Sequence, residues 1–243
     1  MIIEGNVSVK AAIMAGNRKV NRVLVDENKH DKDTLWILHR CDERKIPVER
    51  VGRKIIDTMA SGKTHGGLIA EASERITQNF EDCLKGKDTF LVLLEGVEDP
   101  FNLGYIMRSL YSAGCTGLIL RKRNWDHAES TILKSSAGAS EYLPVVMSED
   151  PAEEVRKAKS LRIHTFAAMR KDAIDCFEAD YRETCLIAIG GEMRGLSSGV
   201  RREIEQNIYI PYANDFHMAL NAAGAAAVLG FEVYRQRRQM YLR

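Results

Sequence analysis

The stretch Glu95-Gly96-Val97-Glu98-Asp99-Pro100-Phe101-Asn102-Leu103-Gly104-Tyr105-Ile106-Met107-Arg108-Ser109-Leu110-Tyr111 follows directly on the apolar run Phe90-Leu91-Val92-Leu93-Leu94. Consecutive apolar residues bounded by a polar turn predict a buried strand. Asp99-Pro100 then predicts a turn, with a helix beginning near Asn102, a residue type suited to capping it. That register puts Gly104 inside the first helical turn, where most helices carry a side chain. Arg108 follows four residues later. Long helical side chains lean back toward the N-terminus, so a bare Gly104 leaves Arg108 room to bring its guanidinium to the helix mouth beside Asn102. In open α/β sheets ligands bind there, beyond the carboxyl end of a strand. The same residues also fit a plainer description, an interior helix glycine with a solvated arginine.

Downstream of Thr89, apolar runs alternate with amphipathic segments. Strands are predicted at Phe90–Leu94, Gly117–Leu120, Ile163–Ala168, Leu186–Ile189 and Ile208–Ile210. Helices are predicted at Asn102–Ala113, Ser130–Ser136, Pro151–Ala158, Ser198–Glu205 and Leu220–Arg238. Strands separated by helices imply an α/β fold with a parallel sheet covered on both faces. The first 75 residues read as a smaller α/β unit. Its helices are predicted at Ser8–Ala15, Asp31–Arg44 and Arg53–Ala60, its extended segments at Val20–Val25, Ile46–Val51 and Gly67–Ala72. Between Glu74 and Asp88 the sequence turns polar, which predicts a linker over 76–88 between a unit 1–75 and a unit 89–243.

The chain has 243 residues, 45% hydrophobic and 28% charged, enough to bury a proper core. A formal net charge of +1 says little about partners, so any nucleic-acid surface must be local. The start, Met1-Ile2-Ile3-Glu4-Gly5, shows no basic segment leading into an apolar core, so no secretory signal is expected. The small-apolar run Ala222–Leu229 is too short to span a bilayer. Five cysteines without a Cys-x-x-Cys pair predict reduced thiols in a cytoplasmic protein and no structural metal.

Two later segments support the opening stretch. In Leu186-Ile187-Ala188-Ile189-Gly190-Gly191-Glu192-Met193-Arg194-Gly195-Leu196-Ser197 a strand runs into two glycines and a carboxylate. Bare glycines at a strand's carboxyl end admit close approach of a ligand to the backbone, although a simple strand-to-helix turn uses glycine as well. In Ile208-Tyr209-Ile210-Pro211, then Ala219-Leu220-Asn221-Ala222-Ala223-Gly224-Ala225, a strand ends at proline and Asn221 opens a small-residue helix. The alanines point to tight packing against another helix or a second subunit. Asn221, a bulky amide among them, requires a hydrogen-bond partner. His217, in a loop, reads as solvated.

Taken in order, the segments Asn102-x-Gly104-x-x-x-Arg108, Gly190-x-Glu192-x-x-Gly195-Leu196 and Ile210-Pro211 with Leu220-Asn221 resemble the SpoU/TrmH family of RNA ribose 2′-O-methyltransferases in the SPOUT class. Lys134-Ser135-Ser136-Ala137-Gly138-Ala139 and Tyr142-Leu143-Pro144-Val145 are similar to the segment between that family's first and second motifs. The likeness covers about Thr89 to Arg238. The N-terminal unit, with Ser8-Val9 and His65-Gly66-Gly67-Leu68-Ile69-Ala70, resembles the L30e-like RNA-binding domain attached to many members.

The resemblance implies a parallel sheet threaded into a deep trefoil knot, a homodimer, and S-adenosylmethionine as cofactor. It implies Asn102, Arg108, Glu192 and Asn221 as catalytic residues and Gly190, Gly191, Ile210 and Leu220 as cofactor-binding residues. It implies RNA as substrate, ribosomal RNA favoured over transfer RNA. One departure stands out: Ala219 occupies the place of the family's usual serine. A single hydroxyl hydrogen bond is worth on the order of 1 kcal/mol, and its loss keeps a second reading open, a non-catalytic RNA-binding relative. A nucleotide-binding Rossmann enzyme is disfavoured, because no Gly-x-Gly-x-x-Gly follows an early strand.

Methyl transfer to a 2′-hydroxyl depends on positioning and on removal of the hydroxyl proton. The family's usual assignment makes the first-motif arginine the base, but a guanidinium stays protonated in proteins. Arg108 is therefore expected to hold a phosphate and to stabilise the developing alkoxide. Candidate RNA-facing patches are Arg18-Lys19 with Arg22, Arg40 to Lys45, Arg50 to Lys54 with Lys63, and Arg121-Lys122-Arg123 with Trp125.

Overall fold

The computed structural model describes residues 1–191 and 194–241, apart from the side chain of Tyr241. From the N-terminus the chain forms β1 (Ile2–Glu4), α1 (Asn6–Ala15), β2 (Val20–Asp26), α2 (Lys32–Glu43), β3 (Val48–Val51), α3 (Arg53–Met59) and β4 (Leu68–Ala72). There follow β5 (Phe90–Glu95), α4 (Pro100–Ser112), β6 (Gly117–Arg121), α5 (Glu129–Ser135), α6 (Ala139–Tyr142) and β7 (Val145–Ser148). The remainder comprises α7 (Pro151–Ser160), β8 (His164–Ala168), β9 (Ala173–Asp175), β10 (Cys185–Gly190), α8 (Ser198–Glu203), β11 (Gln206–Tyr209) and α9 (Ala222–Tyr241).

These elements sort into two compact units. The first holds residues 1–76 together with 126–142, the second 77–125 and the described residues from 143 onward. The first unit is built on a four-stranded sheet ordered β1-β4-β2-β3, in which β4 runs antiparallel to β1 and β2, and β3 parallel to β2. Its core gathers Ile3, Val9, Ile13, Val23, Val25, Ile37 and Leu68, and Leu133 of α5 packs into it. Polar contacts hold 126–142 there too. Arg18 is buried and donates to both oxygens of Glu141, also buried, and to Glu129 at 2.6 Å. Lys134 donates to the buried Glu4 at 2.5 Å. Removing one partner of a buried ion pair typically costs about 3–5 kcal/mol, so this segment is firmly held. Its membership of the first unit departs from the expected division at 75, because only tertiary pairing reveals where Glu129, Lys134 and Glu141 find their partners.

The polar stretch 76–88 is likewise not a free tether. It forms short 3-10 turns at Phe80–Cys83 and Gly86–Asp88, and Phe80 and Cys83 are buried in the second unit's core. Burying a large apolar side chain such as Phe80 is worth about 1.5–3 kcal/mol, and with the smaller Cys83 beside it this anchors a segment whose composition reads as solvent-exposed.

The second unit contains a seven-stranded sheet ordered β7-β6-β5-β10-β8-β11-β9, parallel at every pairing. After β5 the chain moves outward through β6 and β7, and later strands fill the opposite side, with β10 inserted between β5 and β8. The strand order therefore changes direction between β5 and β10. The crevice beyond their carboxyl ends is the place such a sheet offers a ligand. Both central strands are buried nearly throughout, as continuous apolar runs require. α9 packs on α4 inside this unit, with Ala222, Ala226, Leu229 and Val233 forming its buried stripe. A Cβ on Gly230 would come within 3.2–3.3 Å of Leu110 and Ala113, so the two helices approach closely there.

The short strands β1, β7 and β9 carry too few residues to show a period, and the sequence reading passes over them. The predicted start of α4 is corrected as well. Asp99, not Asn102, caps the helix, its carboxylate accepting the N–H groups of Phe101 (3.1 Å) and Asn102 (3.3 Å), and Pro100 occupies the first helical position. Gly104 consequently lies in the second turn and is buried.

Candidate functional site

β5 delivers Glu95 to the carboxyl edge of the sheet. Its buried carboxylate accepts the Arg121 guanidinium at 2.9 Å and the Ser197 N–H at 2.7 Å. Arg121 ends β6 and Ser197 caps α8, so a single carboxylate ties three loops together. The backbone repeats the connection. Gly191 N–H donates to the Glu95 carbonyl at 2.6 Å, and Gly195 N–H donates to the Gly191 carbonyl at 3.0 Å. A Cβ on Gly191 would fall on the Gly96 carbonyl, and one on Gly190 would come within 2.6–2.7 Å of the Gly195 and Leu196 backbone. The room that these bare glycines leave is taken by the chain's own loops. Gly191 also borders a cavity.

That cavity, of about 360 Å³, is lined by residues 96–99 together with Asn102, Gly191, Arg194 and Ala222. Adjoining it, a second cavity of about 520 Å³ shares Gly96, Val97, Glu98 and Arg194 and reaches over the end of β6 to Arg121, Lys122, Arg123 and Trp125. Both fall within the volume range of ordinary ligand sites, about 300–1,000 Å³.

Among the residues singled out from sequence, the structure brings Asn102, Gly191 and the residue after Asn221 to one cavity. Asn102 is half-buried, at the third position of α4. Arg108 is not brought to it. Six residues on, at 3.6 residues per turn, it stands about 120° around the helix, exposed on the same face as Phe101 and Tyr105, and it lines neither cavity. Arg108 thus stands apart from both cavities, on the helix face that also carries Gly104.

Asn221 is exposed and precedes α9, its Oδ1 accepting the Gly224 N–H at 2.7 Å and its carbonyl the Ala225 N–H at 3.0 Å. The partner that an amide among alanines requires is the start of its own helix. Gly190 pairs with Glu95 at the last register position of β10. Ile210 is half-buried immediately after β11, and Leu220 is exposed, its N–H donating to the Tyr212 hydroxyl at 2.8 Å. Glu192 lies outside the described residues.

Three residues with a part in this arrangement escaped the sequence reading. Glu95 sits in the opening stretch, yet nothing local distinguishes a strand-end glutamate that anchors three loops. Arg194 lines both cavities, hidden among the glycines around it. Arg170 follows β8 and donates to the carbonyls of His217 (3.1 Å) and Met218 (3.3 Å), its guanidinium 5.2 Å from the Tyr212 ring centre. It thereby clasps the loop that carries Leu220 and Asn221. The available signal was positional: a cation just past the carboxyl end of a parallel strand belongs to the ligand-facing edge.

Among the described residues no cluster of histidine, cysteine and carboxylate side chains has the arrangement of a metal site, and no helix is long and apolar enough to cross a membrane.

Residues 89–231 match the model of the SpoU rRNA methylase family, and residues 2–77 match the model described as RNA 2′-O ribose methyltransferase substrate binding. The chain belongs to the SpoU rRNA methylase family. This SpoU chain is 30% identical over 244 residues to a protein of Staphylococcus haemolyticus assigned to the TrmH family of tRNA/rRNA methyltransferases, an alignment covering 99% of the chain and 97% of that relative. A Staphylococcus aureus protein with the same assignment is 30% identical over 242 residues, covering 97% of the chain and 96% of the relative. The fold is shared with the SpoU methyltransferase AviRb from Streptomyces viridochromogenes (TM-score 0.83, 24% identity, 99% of this chain and 90% of that one). AviRb has also been solved in complex with the cofactor AdoMet, and that structure superposes with a TM-score of 0.81. An rRNA methyltransferase from Sinorhizobium meliloti superposes with a TM-score of 0.79 at 23% identity, over 96% of this chain and 86% of that one.

Proposed function

We propose that this SpoU-family chain transfers a methyl group from S-adenosylmethionine to a ribose 2′-hydroxyl in structured RNA, ribosomal RNA ahead of transfer RNA. The observation that carries the reading is the cavity at the carboxyl edge of the parallel sheet, between β5 and β10, where Asn102, Gly191, Arg194 and the start of α9 meet. The family membership and the Streptomyces relative's complex with AdoMet support it.

The residues at the ends of β10 and β11 suit such a cofactor. Ile210 is half-buried, and Met218 and Leu220 expose apolar side chains on the loop between β11 and α9. With the backbone of Gly190 and Gly191, they offer apolar surface to a purine ring and peptide groups to its polar edge. S-adenosylmethionine supplies, when bound, a methyl group on a sulfonium that is already electrophilic. What the chain must do is hold the ribose and its charge. Asn102 and Asn221 orient the ribose through their amides, and Glu192 completes the cluster. Arg108, permanently protonated, holds a phosphate and stabilises the developing alkoxide.

Homodimerisation belongs to the same reading. Phe101, Tyr105 and Tyr111 of α4 and Phe231 and Tyr234 of α9 are 42–53% exposed on two helices that pack together. Aromatic patches of this kind mark interaction surfaces. Arg108 shares a face with Phe101 and Tyr105, so a second copy seated there gives the arginine a site to complete. The trefoil threading, a cytoplasmic location, RNA binding by the first unit and methyl transfer in the second complete the reading.

The second reading, a non-catalytic RNA-binding relative, is favoured by Ala219 alone. Incubating the protein with labelled S-adenosylmethionine and total RNA, then mapping the modified position, separates the two. Ribose 2′-O-methylation supports the proposal. RNA binding without transfer establishes the second reading, and methylation of a base overturns the 2′-oxygen assignment.

A further inference from the structure

Resting on the methyl-transfer reading above, we propose that the cavity walled by Arg121, Arg123, Trp125 and Arg194 is a second nucleotide subsite, which holds the unstacked nucleotide next to the one that is methylated. Its position argues for this. The cavity of about 520 Å³ shares Gly96, Val97, Glu98 and Arg194 with the cavity that contains Asn102, so an occupant of one is an immediate neighbour of an occupant of the other. Successive nucleotides of one strand have that relation.

The chemistry of the lining fits a nucleotide. Its carboxylates are largely engaged: Glu95 accepts Arg121 and the Ser197 N–H, and Glu98 lies 3.8 Å from Arg123. Lys122 turns to Glu149 at 2.7 Å. Arg194 is exposed and, among the described residues, makes no ion pair, which leaves its fork for a phosphate. The Arg123 guanidinium lies 5.1 Å from the Trp125 ring centre, and guanidinium planes and indole rings are the surfaces on which unstacked bases settle.

An occupant that stacks sideways on an aromatic ring cannot remain paired within a helix. The subsite therefore selects a target in a loop, bulge or single strand of the RNA, not inside a duplex.

The chain has two tryptophans, so Trp36→Phe leaves Trp125 as the sole indole reporter. Trp125 emission is followed while a mixed-sequence single-stranded oligoribonucleotide is added, and again with the duplex of the same sequence. A saturable quench by the single strand, absent with the duplex, is expected. Arg123→Ala should weaken it about tenfold and Trp125→Phe should weaken filter-binding affinity by a similar factor, both at residues that line only the second cavity and both with unchanged thermal melts and S-adenosylmethionine binding. Unchanged Trp125 emission in a protein that binds the cofactor and the oligonucleotide overturns the subsite and leaves the methyl-transfer reading standing. An equal quench by the duplex overturns the selection for unstacked nucleotides. Failure to bind the cofactor at all overturns the methyl-transfer reading, and the subsite with it.

Discussion

Arg108 and Asn102 stand on one helix and face different ways, and the consequences differ for each. Arg108 is exposed, so Arg108→Ala should change stability by no more than about 0.5 kcal/mol. Methyl transfer should nevertheless fall by about 100-fold, with calorimetric affinity for S-adenosylmethionine unaltered. Arg108→Lys should restore little, since an ammonium lacks the planar fork; near-normal turnover in that variant argues against a bidentate contact. Gly191 shows the opposite balance. Its hydrogen would be replaced by a methyl lying on the Gly96 carbonyl, so Gly191→Ala should lower stability by about 1–3 kcal/mol. A melting temperature equal to that of the unmutated chain counts against the backbone packing described. Burial also governs the cysteines, pushing Cys41 and Cys83 up to about 11 and Cys115, Cys176 and Cys185 up to about 12. Thiols so placed stay protonated at pH 8, and an aromatic disulfide reagent should label them only after unfolding. Rapid labelling of the native protein contradicts this.

Among the elements, the loop between β11 and α9 depends most on one distant side chain. Arg170 reaches it with two hydrogen bonds from a charged group, which at an exposed position are worth about 1 kcal/mol or less after solvent screening. Arg170→Ala should free residues 211–221, seen as faster amide exchange at Leu220 and Gly224. The KM for S-adenosylmethionine should rise about tenfold, with a smaller change in kcat. A kcat effect alone points to a role other than positioning the loop. The elements also show how far local pattern carries. The runs at Phe90–Glu95 and Cys185–Gly190 announce buried strands because every position is apolar up to the strand end. The α4 cap is ambiguous in sequence because Asp99 and Asn102 are both good capping residues three positions apart, and only the observed bonds to Phe101 and Asn102 choose between them.

For the whole molecule, acid should act through carboxylates whose charge is favoured by the fold. Burial would by itself raise the Glu4 carboxyl, but hydrogen bonds from Lys134, Ser61 and Gly62 outweigh it and hold it below the usual carboxylate range. A group lowered on folding contributes stability that is complete above its unfolded value, near 4.3, and is lost as pH falls through its folded value. Thermal melts should therefore drop as pH is lowered below about 4.3. Glu4→Gln should destabilise the chain at pH 7, with the difference narrowing as pH falls. A difference independent of pH contradicts the linkage.

The sequence by itself determined the alternation that makes a parallel sheet, the residues of its buried strands, and the three glycine-and-amide segments that mark the carboxyl edge. Those properties reside in local pattern, where period and residue type decide. Tertiary structure alone decided that Glu95 ties three loops and that Arg170 clasps the loop before α9. It also drew residues 126–142 to the first unit through Glu4, Arg18 and Leu133. Each of these is a pairing between residues far apart along the chain, and no local pattern records it.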